Sequence, residues 1–332
     1  MRTPQTLILT AREVRRLIDW PMAIGSARAT LLQLTRGRAA MPPKLYLTLP
    51  SGDDFRAMPA RVAAPAACGI KWVNVHARNP RRGLPTVMAV IVLNDPATGA
   101  PLAVMDGVWI TKVRTAAAAA VAAQALSRRE SRRVALIGCG AQADAQLFAL
   151  RQVRRFTEVR VWGHAPGEAA RFCARMRRQL PGVALAPAAT VQAAVAQADL
   201  IITLTPSRRP LVRAGWVAPG THINAIGADA PGKQELDPAL LRRAVVVVDD
   251  RAQSIHAGEL NMPIARGQYQ PACIRGTLGD VLIRRRAGRC SLREITIFDS
   301  TGLAVHDVAL AAEAYRRASR RRMGRRVPLV TP

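Results

Sequence analysis

The sequence predicts an α/β protein in which a Rossmann-type parallel-sheet domain is joined to a separate α+β domain. The first observation is RVALIGCGAQA at 133–143, an apolar run that breaks into a glycine turn and then a helical pattern. The second is the alternation of apolar strands and helical segments after that turn, which a doubly wound sheet requires. The third is the region 41–107, where short alternating runs between turn residues predict a β-rich sheet.

Local signals define the elements before the glycine turn. Residues 6–9 are typical of a strand, and a capping box at 10–13 opens a helix that ends near residue 18. A second helix is predicted over 21–37, and an alanine-rich helix over 111–127. Between the last two, strands are predicted at 44–48, 55–62, 70–75, 86–93 and 102–105.

The glycine turn predicts a dinucleotide site. Gly138 would permit the tight turn, Gly140 would let the backbone approach a pyrophosphate, and Ala143 is small enough for helix–strand packing. Ala141 and Gln142 complete a loop that leads into a helix N-terminus, where an anion is favoured.

Six apolar strands with helical crossovers then predict a parallel sheet, at 134–137, 159–162, 200–204, 222–226, 245–248 and 295–298. Asp237 and Pro238 form an N-cap and first-turn pair before the fifth of these strands. A last helix runs from about 303 toward Arg322, and its Arg-rich tail, 316–326, is expected to be solvated or frayed.

Two further features concern the cofactor. Arg114, with Thr115 near the predicted start of the alanine-rich helix, is a candidate phosphate clamp, although a buried connecting helix explains the same alanines. The strand at 159–162 ends without the carboxylate that usually holds the ribose hydroxyls of NAD. Gly163 would leave room for a 2′-phosphate that His164 or a nearby arginine could meet, so NAD and NADP are both predicted as possible cofactors.

Candidate catalytic residues lie in two other segments. Lys44, Arg56 and Lys71 belong to the β-rich region, where three cations would suit a carboxylate-bearing substrate. Lys71 stands among apolar residues, so partial burial would lower its pKa toward acid–base use, and exposed strand-edge lysines are the alternative. Asp229 follows a strand of the parallel sheet, where it would face a ligand cleft or serve only as a loop cap. Lysine occurs at only four positions, which makes each retained ammonium a candidate for a specific role.

The composition indicates which binding partners and which cellular compartment to expect. The 332 residues include no apolar run near the ~18 residues of a membrane span and no signal-peptide pattern, so no membrane partner is expected. The five cysteines form no C-x-x-C pair, which favours reduced thiols in the cytoplasm. The net charge of +27 is spread along the chain and only 4% of residues are aromatic, so no specific nucleic-acid partner is expected. The five histidines lack ligand spacing, so no metal is expected.

Several long strings resemble the ornithine cyclodeaminase/mu-crystallin family, and within it the archaeal-type alanine dehydrogenases. They extend over nearly the whole chain: MPPKLYL (41–47), FRAMPA (55–60), GIKWVNVHARNP (69–80), GLPTVMA (83–89), PLAVMDG (101–107), THINAIGADAPGKQELD (221–237) and EITIFDSTGLAVHDVA (294–309).

The resemblance implies an NAD(P)-dependent dehydrogenase that interconverts a small L-amino acid, most of all L-alanine, with its 2-oxo acid and ammonia through an imine. It implies a homodimer, with 1–120 and 303–332 as a substrate-binding and dimerisation domain and 121–302 as the dinucleotide-binding domain. Lys71 and Asp229 would be catalytic, and Lys44 and Arg56 would bind substrate. The predicted cofactor contacts are Thr86, Arg114, Thr115, Gly138, Gly140, Ala141, Gln142, Ala143, His164, Thr205, Pro206, Ser300, Thr301 and Gly302.

Two other activities stay open. An ornithine cyclodeaminase would convert L-ornithine to L-proline and ammonia with catalytic NAD, and a mu-crystallin-like protein would bind NADP(H) without turnover. The MPPK and KWVNVH segments depart from the cyclodeaminases, and retention of both Lys71 and Asp229 speaks against a protein that only binds. The chain also departs from many relatives at Ala116, Gly163 and Asp280, where they carry Gly, Asp and Glu.

Overall fold

The computed structural model describes residues 4–330, which fall into two compact units. The first comprises the described residues up to Thr115 and those from Leu303 onward, and the second comprises Ala116–Gly302. Residues 1–3 and 331–332, at the ends of the predicted first domain, lie outside the described residues. None of the helices within 4–330 combines the length and apolar character that crossing a membrane requires.

Within that range the strands, in chain order, are β1 (Thr6–Leu9), β2 (Ala39–Ala40), β3 (Leu45–Thr48), β4 (Asp54–Ala63), β5 (Ala66–Val75), β6 (Val87–Asn94), β7 (Pro101–Asp106), β8 (Arg133–Ile137), β9 (Glu158–Trp162), β10 (Ala184–Pro187), β11 (Leu200–Thr203), β12 (His222–Ala225), β13 (Ala244–Val248), β14 (Gly276–Thr277), β15 (Ile295–Asp299) and β16 (Arg325–Val327). The α-helices are α1 (Ala11–Leu17), α2 (Trp20–Thr35), α3 (Val108–Leu126), α4 (Ala143–Arg151), α5 (Glu168–Arg177), α6 (Val191–Val195), α7 (Pro238–Arg243), α8 (Arg251–Ala257), α9 (Asn261–Ala265), α10 (Leu278–Leu282) and α11 (Ala304–Arg321).

The first unit is built on an eight-stranded sheet in the order β16-β1-β7-β6-β5-β4-β2, with β3 also paired to β4. All pairs are antiparallel except β1 with β7. Helix α11 packs across β4, β5 and β6. Because strand residues alternate between faces, Met58, Lys71 and Ile91 are buried on one side, and Trp72 and Val90 are exposed on the other.

Capping explains where the first helices begin. The Thr10 hydroxyl accepts from Glu13 N while the Glu13 carboxylate accepts from Thr10 N, which confirms the predicted capping box of α1. The Asp19 carboxylate accepts from Met22 N at the start of α2. The strands predicted between 44 and 105 are confirmed as β3 to β7.

The second unit contains an eight-stranded, all-parallel sheet in the order β10-β9-β8-β11-β12-β15-β13-β14, which confirms the Rossmann-type prediction. The six predicted strands are present, and Asp237 caps α7 as predicted. The two edge strands β10 and β14 were missed because both are short, and neither is a continuous buried apolar run. Leu136 and Phe172 belong to the apolar core on one face of the sheet, and Ile137 and Leu240 belong to the core on the other face.

The expectation of a frayed Arg-rich tail is wrong. Helix α11 continues to Arg321, and the residues that follow form β16, which pairs antiparallel with β1. The Arg317 guanidinium donates to the Leu17 carbonyl at 3.0 Å and to Asp19 Oδ2 at 2.6 Å. These contacts and the β16 pairing order the tail, while most of its arginines, among them Arg316, Arg320 and Arg325, are exposed to solvent as predicted.

Candidate active site

The buried ammonium of Lys71 is the central feature of the first unit. Lys71 lies on β5 between Met58 of β4 and Ile91 of β6, and only 1% of the residue is exposed. Burial and the charge of Arg114 lower the pKa of Lys71 to about 7, although the nearby Asp307 carboxylate opposes this change. The pKa of Lys71 is thus lowered in the direction that the sequence predicted, to a value that suits acid–base use near neutral pH.

The Asp307 carboxylate connects Lys71 with Arg114. Asp307 Oδ2 lies 2.8 Å from Lys71 Nζ, and Asp307 Oδ1 lies 3.1 Å from Arg114 Nε. Burial alone would raise the pKa of Asp307, but the charges of Arg114 and Lys71 outweigh it and lower this pKa. Sequence reasoning missed Asp307, although an acidic residue in the apolar string LAVHDVA is a signal that could have found it.

Arg114 does not lie at a helix start, which corrects the prediction of an N-terminal phosphate clamp. Helix α3 begins at Val108, because the Asp106 carboxylate accepts from Val108 N at 3.2 Å and from Trp109 N at 3.0 Å. Arg114 therefore stands in the helix body, where Asp307 holds its Nε. The neighbouring Thr115 hydroxyl donates to the Thr111 carbonyl at 2.7 Å.

The two predicted substrate-binding cations differ in their surroundings. Arg56 is buried on the same face of the sheet as Lys71, and its guanidinium makes a two-pronged pair with Asp54, at 2.8 and 3.0 Å. The same guanidinium lies 5.2 Å from the ring centroid of Tyr46. Lys44 is half-buried before β3, and its charge contributes to lowering the pKa of Lys71. Thr86 is half-buried, and its carbonyl accepts from His76 N at 2.8 Å.

The glycine turn of the second unit fits a dinucleotide. Gly138 has φ +101°, and a Cβ there would lie 3.0 Å from Thr205 Cγ2, so the turn needs glycine. A Cβ on Gly140 would meet no atom within 4 Å, which leaves that backbone open to a ligand. Ala143 is fully buried at the start of α4, and the buried Gln142 Oε1 has no hydrogen-bond partner within the described chain.

Two further predicted contact segments are anchored by buried carboxylates. The Glu235 carboxylate accepts from Thr205 N and Thr205 Oγ1, both at 2.7 Å, and Pro206 beside it is exposed. The Asp249 carboxylate accepts from Thr301 Oγ1 at 2.8 Å and from Gly302 N at 2.7 Å, with Ser300 Oγ at 3.5 Å. Sequence reasoning gave no role to Glu235 or Asp249.

Side chains pack closely against Gly163. A Cβ there would lie 2.8 Å from Cys139 Sγ and 3.0 Å from Glu168 Cβ, so these atoms already fill the space that a side chain at this position would need. His164 is exposed, with its ring 6.3 Å from that of Trp162. A glycine at 163 therefore reflects close packing, and by itself it does not favour NADP.

Asp229 lies on the loop after β12 at the carboxyl edge of the parallel sheet. It is half-buried, and Asp229 Oδ1 lies 2.6 Å from Lys233 Nζ. Asn261 steadies the loop, because its side chain accepts from Gly232 N and donates to the Lys233 carbonyl. Among residues 4–330, no group of three or more His, Cys, Asp or Glu side chains is arranged to hold a metal ion.

Three comparisons agree on the relatives of this chain. The model of the ornithine cyclodeaminase/mu-crystallin family matches residues 4–322. Alanine dehydrogenase of Archaeoglobus fulgidus is 45% identical over 323 residues, which cover 97% of this chain and 98% of that protein. An archaeal alanine dehydrogenase dimer with bound NAD has a TM-score of 0.94 and 43% identity, covering 98% of this chain and 100% of that one. Thermococcus litoralis Δ1-pyrroline-2-carboxylate reductase, in complex with NADH and L-proline, has a TM-score of 0.94 and 33% identity. The match covers 97% of this chain and 100% of the reductase chain.

Proposed function

Because the chain belongs to the ornithine cyclodeaminase/mu-crystallin family, we propose that it is an NAD(P)-dependent dehydrogenase of small L-amino acids, with L-alanine as its principal substrate. The similarity to alanine dehydrogenase over nearly the whole chain supports this substrate. The structural observation that carries the proposal is the buried Lys71 ammonium, with its pKa of about 7. A bound nicotinamide cofactor supplies the acceptor or donor of hydride at the substrate Cα.

The remaining steps concern binding and proton transfer. We assign the substrate carboxylate to the cations of the first unit, Lys44, Arg56 and Lys71, whose charges suit an anion. Asp54 holds the Arg56 guanidinium in one orientation, which lowers the entropy lost when a carboxylate binds. Lys71 and Asp229 are assigned the proton transfers that accompany water addition to the imine and release of ammonia. The contacts that we propose for NAD or NADP are Thr86, Arg114, Thr115, Gly138, Gly140, Ala141, Gln142, Ala143, His164, Thr205, Pro206, Ser300, Thr301 and Gly302.

We infer that the protein forms a homodimer through the open face of the first unit's sheet. Four large apolar side chains on this face are exposed: Leu45 (63%), Leu47 (52%), Trp72 (42%) and Val90 (46%). Phe55 stacks on Trp72 with ring centroids 5.4 Å apart, and Trp72 is paired with Val90, so the patch is continuous across the four strands β3 to β6. An exposed apolar patch of this kind indicates a protein interface, and the related archaeal alanine dehydrogenase is a dimer.

We also propose that the protein is cytoplasmic, because the five free thiols agree with that location.

The open face gives a direct test of the dimer. Trp72→Arg places a charge in the centre of the patch, where desolvation of an unpaired cation opposes association. Sedimentation velocity should show the wild type as a dimer and this variant as a monomer. Lys112→Arg retains its charge on α3 and is the control that should stay dimeric. A wild type that sediments as a monomer at high concentration would contradict the assignment.

An absorbance assay of the reduced nicotinamide tests the activity itself. Oxidation of L-alanine with NAD or NADP, and oxidation of the reduced cofactor by pyruvate with ammonia, are the expected reactions. Asp229→Ala should lower kcat by about 10²–10⁴ if this residue transfers a proton. Failure with both cofactors, across pyruvate with ammonia or methylamine and several small amino acids, would refute the proposal. Proline formed from ornithine with catalytic NAD would instead identify a cyclodeaminase.

A further inference from the structure

The Asp307 carboxylate has no part in the chemistry assigned so far, yet it contacts the proposed catalytic lysine. It lies in the first turn of α11, which packs on β5, and it is fully buried. Its two oxygens serve different cations, Lys71 Nζ at 2.8 Å from β5 and Arg114 Nε at 3.1 Å from α3. One carboxylate therefore fixes two side chains that come from two other elements.

We propose that Asp307 is a positioning residue that holds the Lys71 ammonium and the Arg114 guanidinium in one arrangement and sets the pH at which Lys71 exchanges its proton. The link to catalysis rests on the proposed function, since it takes Lys71 as a proton-transfer group. The charge balance at Lys71 does not depend on that function.

The groups that face Lys71 show why Asp307 controls its charge. Arg114 and Lys44 are cations, and both oppose a second positive charge on Lys71. On the same face of β4, Arg56 is already paired with Asp54, and the direct neighbours on β4 and β6, Met58 and Ile91, carry no charge. Asp307 supplies the negative charge that favours the ammonium.

The remaining neighbour, His306 on α11, carries no charge at neutral pH. Burial and the charge of Arg114 lower the pKa of His306 to about 3. Its ring nitrogens have no hydrogen-bond partner among the described residues, so replacing the ring with an apolar side chain removes no hydrogen bond. His306 therefore provides a matched control position next to Asp307.

The low lysine content allows a direct titration of Lys71. Full-length protein labelled with ¹³C at lysine Cε carries labels at only four positions, and the signal that Lys71→Arg removes identifies Lys71. In Asp307→Asn, which conserves size and removes the charge, the titration midpoint of Lys71 should fall by about 1 to 3 pH units. In Arg114→Gln, which removes the competing cation, the midpoint should rise. His306→Leu should leave it unchanged.

These variants separate an electrostatic role from a merely structural one. A midpoint that is unchanged in Asp307→Asn, or that moves in the same direction in Asp307→Asn and Arg114→Gln, overturns the proposal. If Asp307→Asn fails to fold, Arg114→Gln decides, because the absence of a rise there also overturns it. Asp307→Glu retains the carboxylate and should restore most of the wild-type midpoint.

The kinetic measurement tests the link to catalysis. In the pH profile of kcat/KM for L-alanine, the limb that reports Lys71 should move to lower pH in Asp307→Asn by the same amount as the NMR midpoint. A limb that stays in place while the midpoint moves would overturn the proposed effect of Asp307 on catalysis. A wild type without any turnover would refute the proposed function instead, and the NMR titration would still decide the charge balance.

Discussion

The two units bury charged groups in different ways. In the first unit, Lys71, Arg114 and Asp307 are buried together as opposite charges in contact. In the second unit, Glu235 and Glu259 are fully buried and accept hydrogen bonds from backbone N–H groups. Burial and the Arg114 charge lower the pKa of Lys71 to about 7 against the opposing charge of Asp307, whereas the carboxyl groups held by backbone donors connect segments of chain. The difference separates groups suited to proton transfer from groups that hold loops.

The carboxylates of the second unit fasten the loop that carries Asp229. Glu235 Oε2 accepts from Gly227 N at 2.9 Å, and the Glu259 carboxylate accepts from Glu235 N and from Leu236 N. Burial raises the pKa of Glu235, and burial together with the Glu235 charge raises that of Glu259. The loop is thus tied at both ends to buried groups.

The largest effect is expected at Lys71. Lys71→Met removes the titrating ammonium but leaves Asp307 paired with Arg114, so the fold should persist while kcat/KM falls by about 10²–10⁴. Steady-state kinetics with L-alanine measure the loss, and circular dichroism checks the fold. Lys112→Met, on α3, is the control and should keep near-normal kinetics. Near-normal kinetics in Lys71→Met would contradict a role in proton transfer for the buried charges of the first unit.

Substitution of Glu235 is expected to have a smaller effect, which should appear in the free energy of unfolding. Glu235→Gln turns one acceptor into a donor that faces Thr205 N or Gly227 N, which should lower the free energy of unfolding by about 1–3 kcal/mol. Urea denaturation measures the change. Glu158→Gln breaks a partly exposed pair with Arg160 and should cost less than about 1 kcal/mol. Equal losses in both variants would mean that Glu235 does not anchor the loop.

A change in stability that depends on pH is expected at Asp299. Burial raises the pKa of this carboxyl from 3.8 to about 8, and Asp299 Oδ1 accepts from Glu259 N. The pKa of Asp299 is higher in the folded state than in the unfolded state. Its contribution to the free energy of unfolding is therefore complete at acid pH and is lost as pH rises toward 8. Asp299→Asn does not titrate, so it should gain about 1.4 kcal/mol relative to wild type for each pH unit within that window. Urea denaturation at several pH values would contradict this if the difference stayed constant.

Local sequence patterns predicted most of the helices and strands. They also indicated Lys71 as a candidate acid–base residue, because its apolar neighbours indicated burial. Asp307 was missed because the acidic residue within the apolar string LAVHDVA was given no weight, and its contact with Arg114, 193 residues away in the chain, is not visible in any local pattern. The helix start near Arg114 was misplaced because alanines gave no boundary and the Asp106 cap was not recognised. The space at Gly163 could not be judged, because Cys139 and Glu168 approach it from another loop and helix.

In the proposed reaction, the buried Lys71 side chain transfers protons during the oxidation of a small L-amino acid. Its most direct test is the pH profile of kcat/KM for L-alanine in the wild type and in Lys71→Arg, since arginine does not lose its charge in this range. We expect an inflection near pH 7 in the wild type that is absent from the residual activity of Lys71→Arg. The same inflection at the same pH in both proteins would contradict it.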